Sequence, residues 1–172
     1  FDGITTAQGQ FAPAGAADVN VAWSAIGQYT DLINPCSFLT FVGAIAAGGR
    51  GTTPYLVEEI RVGNKETYSA ATQFGNLLVS QETAETIREF MRFNVQDAYG
   101  DENFPGLNVC AKTGTAEVGG EKKPNAMLTG FVADSDLPLA FVVCVEDGGY
   151  GSAVCIPIAS EILSACKEAF GG

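Results

Sequence analysis

The most informative stretch of this chain is residues 109–117, which read Val-Cys-Ala-Lys-Thr-Gly-Thr-Ala-Glu. Its outer residues have the apolar character of a strand, but its middle carries a lysine, two threonines and a glycine. In an extended strand, Lys112 and Gly114 point to one face while Thr113 and Thr115 point to the other, although a local twist could bring Thr113 or Thr115 to a cleft. A cation beside hydroxyl donors and a bare backbone suits binding of a carboxylate or a developing oxyanion. The alternative is that Lys112 is an ordinary solvated residue of the strand.

Two further apolar runs follow this stretch and complete a predicted sheet. The strand-like runs cover residues 108–118, 126–133 and 137–146, and the short connections between them favour an antiparallel meander. Residues 141–145 are apolar without alternation, which indicates a strand covered on both faces. We therefore expect the third strand to be central in the sheet and not at its edge.

Apolar residues at helical spacing predict two helices ahead of this sheet. One begins at Asn34, an N-cap followed by proline, and ends before Gly48. The other begins after Ser80 and ends at Gly100. The residues expected on their apolar faces are Leu39, Val42 and Ala46 in the first helix and Ala84, Ile87, Met91, Val95 and Ala98 in the second.

A third helix is predicted to close the chain over residues 154–170, with Pro157 in its first turn. Its expected apolar stripe consists of Cys155, Ile158, Ala159, Ile162, Cys166 and Phe170.

The remaining segments carry weaker signals. Residues 1–20 have no steady period and are predicted to be irregular, and residues 55–61 are predicted to form a short strand. The order of elements indicates an α+β fold in which helices cover an antiparallel sheet.

Composition excludes several classes of function. The chain has 172 residues with 20 acidic and 9 basic side chains, a formal net charge of −11, which argues against nucleic acid as a partner. Histidine is absent, so Ser-His-Asp and Cys-His catalysis are excluded. The five cysteines form no C-x-x-C pair and are predicted to be small buried apolar residues, with a disulfide or a reactive thiol as alternatives. No cofactor or metal is expected.

The context of the K-T-G motif, residues 112–114, resembles the C-terminal part of the penicillin-binding protein transpeptidase domain. The matching segments are residues 111–118, 130–133 and 137–143, together with Ile26-Gly27-Gln28, residues 46–49, Pro54 with Leu56 and Val57, and Gly106-Leu107. The resemblance covers nearly the whole chain. It implies that residues 1–172 are the C-terminal portion of one domain with a partial β-lactamase/transpeptidase-like fold.

The resemblance also implies an activity, serine acyl transfer to and from cell-wall peptides, and roles for the motif residues. In the family a serine attacks a D-Ala-D-Ala stem peptide or a β-lactam, outside the cytoplasmic membrane. By that likeness Lys112 and Thr115 would be catalytic, the lysine in proton transfer and the Thr115 amide as an oxyanion donor. Thr113, Gly114 and Thr115 would bind the substrate, the hydroxyls through its carboxylate.

One departure from the family pattern concerns the nucleophile. The motifs S-x-x-K and S-x-N accompany K-T-G in this superfamily, but neither lies upstream of Lys112, and the one S-x-x-K, Ser164 to Lys167, stands downstream by chance. We therefore expect the serine on an N-terminal segment of the domain that is absent here, or on another chain, and expect this chain alone to be inactive. The alternatives are a β-lactamase, a β-lactam sensor or a non-catalytic scaffold of the same fold.

Overall fold

The computed structural model describes residues 5–11, 17–28, 30–134 and 136–171. Its helices and strands in chain order are α1 (Asp18–Ala25), α2 (Pro35–Ala46), β1 (Arg50–Thr53), β2 (Glu59–Val62), β3 (Lys65–Ser69), β4 (Gln73–Leu77), α3 (Gln81–Asn94), β5 (Val109–Ala116), β6 (Asn125–Val132), β7 (Ala140–Val145) and α4 (Gly151–Phe170). A π-helical turn, Val95–Tyr99, and a 3-10 turn, Asp101–Asn103, follow α3. The α+β class predicted from the sequence is confirmed.

Strands β5, β6 and β7 form one antiparallel sheet in that order, which confirms the predicted meander. Thr113 lies opposite Leu128, and Thr129 lies opposite Val142. Among the described residues β6 is the central strand and β7 pairs on one side only. The second neighbour predicted for the third run is not among them. Polar and apolar residues do not alternate in β7 because helices lie on both faces of the sheet. Burial of both faces does not determine whether the strand is hydrogen-bonded on one side or on two.

Two apolar cores lie on opposite faces of this sheet. The core beneath α4 includes Val109, Ala111, Leu128, Cys155, Ala159 and Leu163. The core beneath α2 and α3 consists of Val42, Ile45, Met91, Cys110 and Phe131. Successive residues of β5 thus point alternately towards α4 and towards α2 and α3, which is the alternation expected for an extended strand.

Helices α2 and α3 begin where the sequence predicts. The side chain of Asn34 accepts a hydrogen bond from the Ser37 N–H at 3.1 Å. The Ser80 hydroxyl accepts one from the Thr83 N–H, also at 3.1 Å. Each cap satisfies a backbone donor that has no partner within its own helix.

The end of α3 differs from the prediction. The helix stops at Asn94, and in the π turn the Gly100 N–H donates to the Val95 carbonyl at 2.8 Å. This turn is wider than an α-helical turn, so Tyr99 and not Ala98 follows Val95 onto the core beneath α4. Ala98 is exposed, and its predicted place on the buried face is wrong.

Helix α4 begins at Gly151, earlier than predicted, and Pro157 lies inside it instead of in its first turn. The Tyr150 carbonyl accepts hydrogen bonds from the Ala153 and Val154 N–H groups, at 3.1 and 3.2 Å. These bonds start the helix three residues before the apolar period that defined it in the sequence.

The predicted apolar stripe of α4 is only partly correct. Ile158, Ile162 and Phe170 are exposed. The buried residues are Gly151, Cys155, Ile156, Ala159 and Leu163. Apolar residues occupy two neighbouring faces of this helix, so helical spacing fits both of them, and contact with the sheet selects one.

The first part of the chain contains a helix that the sequence analysis did not predict. Residues 1–20 were expected to be irregular, but α1 begins at Asp18, and the prediction is wrong for that end of the range. The preceding described segment, residues 5–11, is irregular and makes one bridge, between Gln10 and Leu32. The rest of the predicted range, residues 1–4 and 12–16, lies outside the described part of the chain.

Between α2 and α3 the chain forms an arm of two short antiparallel pairs, β1 with β4 and β2 with β3. The strand predicted over residues 55–61 is correct only from Glu59 onwards. Every residue of β2, β3 and β4 is exposed. Solvent on all sides imposes no apolar period on these strands, and the sequence therefore carries little signal for them.

All five cysteines are free. The predicted role as buried apolar residues is confirmed for Cys110 and Cys155 and is wrong for Cys144, which is exposed, while Cys36 and Cys166 are partly buried. Within the described ranges, no helix is both long and apolar enough to cross a membrane.

Candidate active site

The strand that carries the K-T-G motif, β5, is the outer strand opposite β7, and side chains cover part of its free edge. Arg92 donates to the Val109 carbonyl at 3.0 Å, and Asn94 donates to the Ala111 carbonyl at 3.4 Å. In a β-strand the N–H and C=O of one residue point to the same side. The odd-numbered residues of β5 therefore present their backbone groups to this edge.

A groove of about 210 Å³ opens along the same edge, beyond the part that α3 covers. The K-T-G strand forms one wall, and Ile26, Gln28 and Phe38 line the other side. Lys112 borders the groove with an exposed side chain, and its Nζ donates to the Thr113 carbonyl at 2.8 Å. The lysine thus lies at a wall of the groove.

Thr113 is held by a tyrosine from the π turn. Its backbone N–H donates to the Tyr99 hydroxyl at 3.0 Å. The same hydroxyl lies 3.0 Å from the Thr113 Oγ1. The backbone N–H and the hydroxyl of Thr113 therefore both contact one phenol. That phenol sets the orientation of the threonine side chain.

Thr115 contacts the protein through its side chain and its backbone. Its Oγ1 accepts a hydrogen bond from the Gly151 N–H at 3.3 Å and retains its own proton for donation. Its carbonyl accepts from the Gln28 Nε2 at 3.0 Å. The Thr115 N–H points to the same free edge, where it can donate to an oxygen in the groove.

Gly114 is not required by the packing of the strand. A Cβ added at this position would stand 3.4 Å from the Met127 Cβ, an ordinary contact, and would meet no closer heavy atom of the described residues. The missing side chain therefore keeps the groove wide and does not relieve a clash within the fold.

Gly151 presents the opposite case. A Cβ there would stand 2.5 Å from the carbonyl oxygens of both Gly114 and Met127. Only glycine lets the first residue of α4 approach this closely, and the approach is what brings its N–H to Thr115.

Other nucleophile candidates near the strand are unsuitable. Burial raises the pKa of Cys110, against the smaller opposing effect of Arg88 and Arg92, so its thiol stays protonated and unreactive. Lys167 of the downstream S-x-x-K donates to the carbonyls of Pro105 and Gly106 at 3.3 and 3.0 Å. That lysine fixes a loop and is engaged away from Ser164.

A much larger depression of the surface has no comparable chemistry. It measures about 980 Å³ and lies along α3, where Arg88, Phe90 and Phe93 line it. Among the described residues, no cluster of three or more histidine, cysteine or acidic side chains could hold a metal ion. The chemistry of the K-T-G strand therefore locates the candidate site better than the size of the depressions does.

The structure brings the four predicted residues, Lys112 to Thr115, together at one groove. It adds two residues that were not predicted as site residues, Tyr99 and Gln28. Gln28 stood within a matching segment of the sequence but without a role. Nothing in the sequence pairs Tyr99 with Thr113, because the contact depends on the irregular turn after α3.

Comparison with known proteins identifies relatives of the chain. A family model described as the penicillin binding protein transpeptidase domain matches residues 3–164. The chain is 30% identical over 151 residues to peptidoglycan D,D-transpeptidase PbpA of Mycolicibacterium smegmatis, a match that covers 83% of this chain and 31% of that protein. The chain thus spans about a third of the length of the curated relatives it matches.

Solved structures give the same result for the fold. The chain superposes on penicillin-binding protein A from Mycobacterium tuberculosis in a ceftriaxone acyl-enzyme complex with a TM-score of 0.85 at 24% identity, covering 95% of this chain and 38% of that one. For the imipenem acyl-enzyme complex the TM-score is 0.82 at 25% identity, covering 94% and 37%.

Proposed function

The chain belongs to the penicillin binding protein transpeptidase domain family, and from this membership we propose that it forms one wall of the active site of a peptidoglycan D,D-transpeptidase. In this reaction a serine oxygen bonds to the carbonyl carbon between two D-alanines of a stem peptide. The C–N bond breaks, the terminal D-alanine leaves with a proton on its amine, and an ester remains. An amine of a second stem peptide then takes the acyl group, which cross-links the peptides and frees the serine.

The observation that carries the proposal is the place of Thr115 at the groove beside Lys112, with a backbone N–H that has no partner among the described residues. A backbone N–H fixed by a strand is a preorganised donor for the oxyanion that forms when serine attacks a carbonyl. The bond from Gln28 to the Thr115 carbonyl supports this role because it holds the strand beside the groove. Thr115 is thus one of the two oxyanion donors in this proposal.

Lys112 supplies the positive charge of the site. Its Nζ now donates to the neutral carbonyl of Thr113, so an anionic or proton-accepting partner can replace that contact at little cost. In the proposed function this lysine supports transfer of the serine proton, and the hydroxyls of Thr113 and Thr115 bind the substrate carboxylate. Gly114 leaves space for the substrate beside the strand.

The attacking serine and its lysine lie, in this proposal, on polypeptide outside residues 1–172. Upstream of Lys112 the sequence has neither S-x-x-K nor S-x-N, and the relatives are about three times longer than the chain. The segment that carries them is the N-terminal part of the same domain or another chain. The site then acts outside the cytoplasmic membrane, on stem peptides and on β-lactams.

Three other functions use the same wall. A β-lactamase or a β-lactam sensor differs chiefly in how fast or whether the acyl-enzyme is hydrolysed, and a scaffold forms no acyl-enzyme. The D,D-transpeptidase name of the curated relative favours the transpeptidase. The lifetime of the penicillin adduct and the transfer of a peptide acyl group to an amine separate these functions.

The test is an intact mass of the parent protein that contains these residues, measured after exposure to penicillin. We expect one penicillin added to one serine outside residues 1–172, and no adduct on the 172-residue chain alone. Lys112→Ala should slow acylation at least ~10²-fold, because an electrostatic stabiliser is lost, while Lys65→Ala on the exposed arm should not slow it. An adduct on Ser164, or an unchanged rate in the Lys112 variant, would contradict the assignment.

A further inference from the structure

We propose that Tyr99 is a positioning residue of this site: its hydroxyl donates to the Thr113 Oγ1 and thereby directs the Thr113 proton towards the carboxylate of the acyl donor. The inference rests on the proposed function and adds to it a residue outside the K-T-G motif. It concerns recognition of an anionic group, not the attack on the carbonyl.

The Tyr99 phenol makes two contacts with Thr113. The Thr113 N–H donates to the Tyr99 oxygen at 3.0 Å, and the Thr113 Oγ1 lies 3.0 Å from the same oxygen. Both distances are normal for hydrogen bonds. A phenylalanine at position 99 would fill the same space and would lose both bonds.

The proton count on these two hydroxyls decides what Thr113 can offer. A phenol has one proton to donate, and its oxygen already accepts the Thr113 N–H. If the phenol donates its proton to the Thr113 Oγ1, the phenol both donates to Thr113 and accepts from it. The hydroxyl proton of Thr113 then remains free to donate to a ligand. Thr113 then becomes a hydrogen-bond donor with a fixed direction, which is the property that a carboxylate site needs.

The turn that carries Tyr99 is anchored on both sides. The Asn103 Nδ2 donates to the Tyr99 carbonyl at 2.7 Å, and Ser160 of α4 donates to the Asn103 carbonyl. Arg92 forms a two-bond ion pair with Asp101, at 2.6 and 2.7 Å. These bonds hold the backbone of the turn in place, and with it the position from which the Tyr99 ring reaches β5.

The hydrogen bond also limits the free edge of β5. Because Tyr99 occupies the Thr113 N–H, an extended peptide cannot use that donor. Of the two odd-numbered residues of β5 that line the groove, Thr113 and Thr115, only Thr115 keeps a backbone N–H without a partner among the described residues, which agrees with its proposed role as the oxyanion donor.

The experiment compares two matched acyl donors, a penicillin with its free carboxylate and the methyl ester of the same penicillin. The second-order rate of acylation is measured for the parent protein as wild type, as Tyr99→Phe and as the control Tyr68→Phe on the exposed arm. Tyr99→Phe should lower the rate with the free acid about 5- to 10-fold, the loss expected for one hydrogen bond. The rate with the ester should change less than about 2-fold, and Tyr68→Phe should match wild type with both.

Two further measurements test the route through Thr113. Adding Tyr99→Phe to Thr113→Val should cause no further loss with the free acid, because the two residues act as one unit. Amide hydrogen exchange should show the Thr113 N–H protected in wild type and exposed in Tyr99→Phe, which tests the contact even if the variant is less stable.

The outcomes separate the inference from the function it rests on. Equal slowing with acid and ester, additive losses in the double variant, or a Thr113 amide unprotected in wild type would overturn the role of Tyr99. If wild-type parent protein forms no adduct with either donor, the proposed function fails first, and the inference fails with it.

Discussion

At the scale of single residues, Gly151 has the strictest requirement near the site. Gly151→Ala should destabilise the fold by about 1–3 kcal/mol, the cost of overpacking, because the new Cβ would overlap two carbonyl oxygens. Urea unfolding measures the change. Gly43→Ala in α2 is the matched control, because a Cβ there would lie 3.9 Å from the Ala140 Cβ. This variant should be neutral or more stable by up to about 1 kcal/mol.

Gly114 should give the opposite combination of effects. Gly114→Ala should change the unfolding free energy by less than about 0.5 kcal/mol, because its Cβ meets only an ordinary contact. The methyl group enters the groove, so acylation of the parent protein by penicillin should slow about 10- to 200-fold.

Gly75→Ala in β4 is the control for a glycine in a strand and should leave acylation unchanged. A Gly114→Ala variant that unfolds easily but acylates normally would show that the glycine serves the fold and not the ligand.

The sequence could predict the motif residues because lysine, threonine and glycine are unusual inside an apolar strand. It could also predict that Lys112 and Thr113 point to opposite faces, since that follows from the period of an extended strand. It could not predict that Tyr99 and Gln28 reach the strand. Those contacts depend on how loops and turns fold over it, and such approaches leave no period in the sequence.

At the scale of elements, a carboxylate joins the beginning of β5 to the end of β6. Asp134 accepts hydrogen bonds from the Asn108 N–H, at 2.8 Å, and from the Asn108 side chain. These bonds lower the pKa of Asp134 below its ordinary value of 3.8, the backbone bond contributing most. The folded state therefore favours the ionised carboxylate.

The pH dependence of stability follows from this shift. The contribution of Asp134 is complete above the unfolded pKa and is lost as pH falls below about 4 through the lowered folded value. Asp134→Asn should remove that part of the acid destabilisation, measured as the difference in unfolding free energy between pH 6 and pH 3. Asp136→Asn, at an exposed neighbour, is the control. An identical pH profile for wild type and Asp134→Asn would contradict the role of the bridge.

Elements with a cap and one buried face were predictable, as α2, α3 and the three strands of the sheet show. Elements without a buried face were predicted poorly, since only part of β2 was predicted in the arm formed by β1 to β4. The face of α4 was predicted wrongly because Ile158 and Ile162 continue one apolar stripe while Ile156 and Leu163 continue another. Tertiary contact with the sheet chooses between such stripes, and helical spacing alone does not.

At the scale of the whole molecule, β7 leaves one edge of the sheet unpaired among the described residues. Unpaired strands of apolar residues tend to pair with another chain. We expect the 172-residue chain to self-associate, or to associate with the segment that completes its domain. Sedimentation at increasing concentration measures this, and a monodisperse monomer would contradict it.

A charge on the edge strand tests the cause. Cys144 is exposed on β7, and Cys144→Lys should shift the chain towards monomer, because lysine disfavours pairing of strand edges. Cys144→Ser removes the same thiol without adding a charge and should associate as wild type does. Equal association of all three proteins would place the contact elsewhere.

The wide turn after α3 also determines where evolution can change the length of this chain. A π turn holds one residue more than the α-helical turn it replaces. Deletion of the exposed Ala98 would restore a regular helix with the tyrosine still on the side of Val95. The same deletion inside β5 would turn every later side chain to the opposite face. Homologous chains should therefore carry their gaps before Gly100 and keep the spacing from Val109 to Thr115 intact.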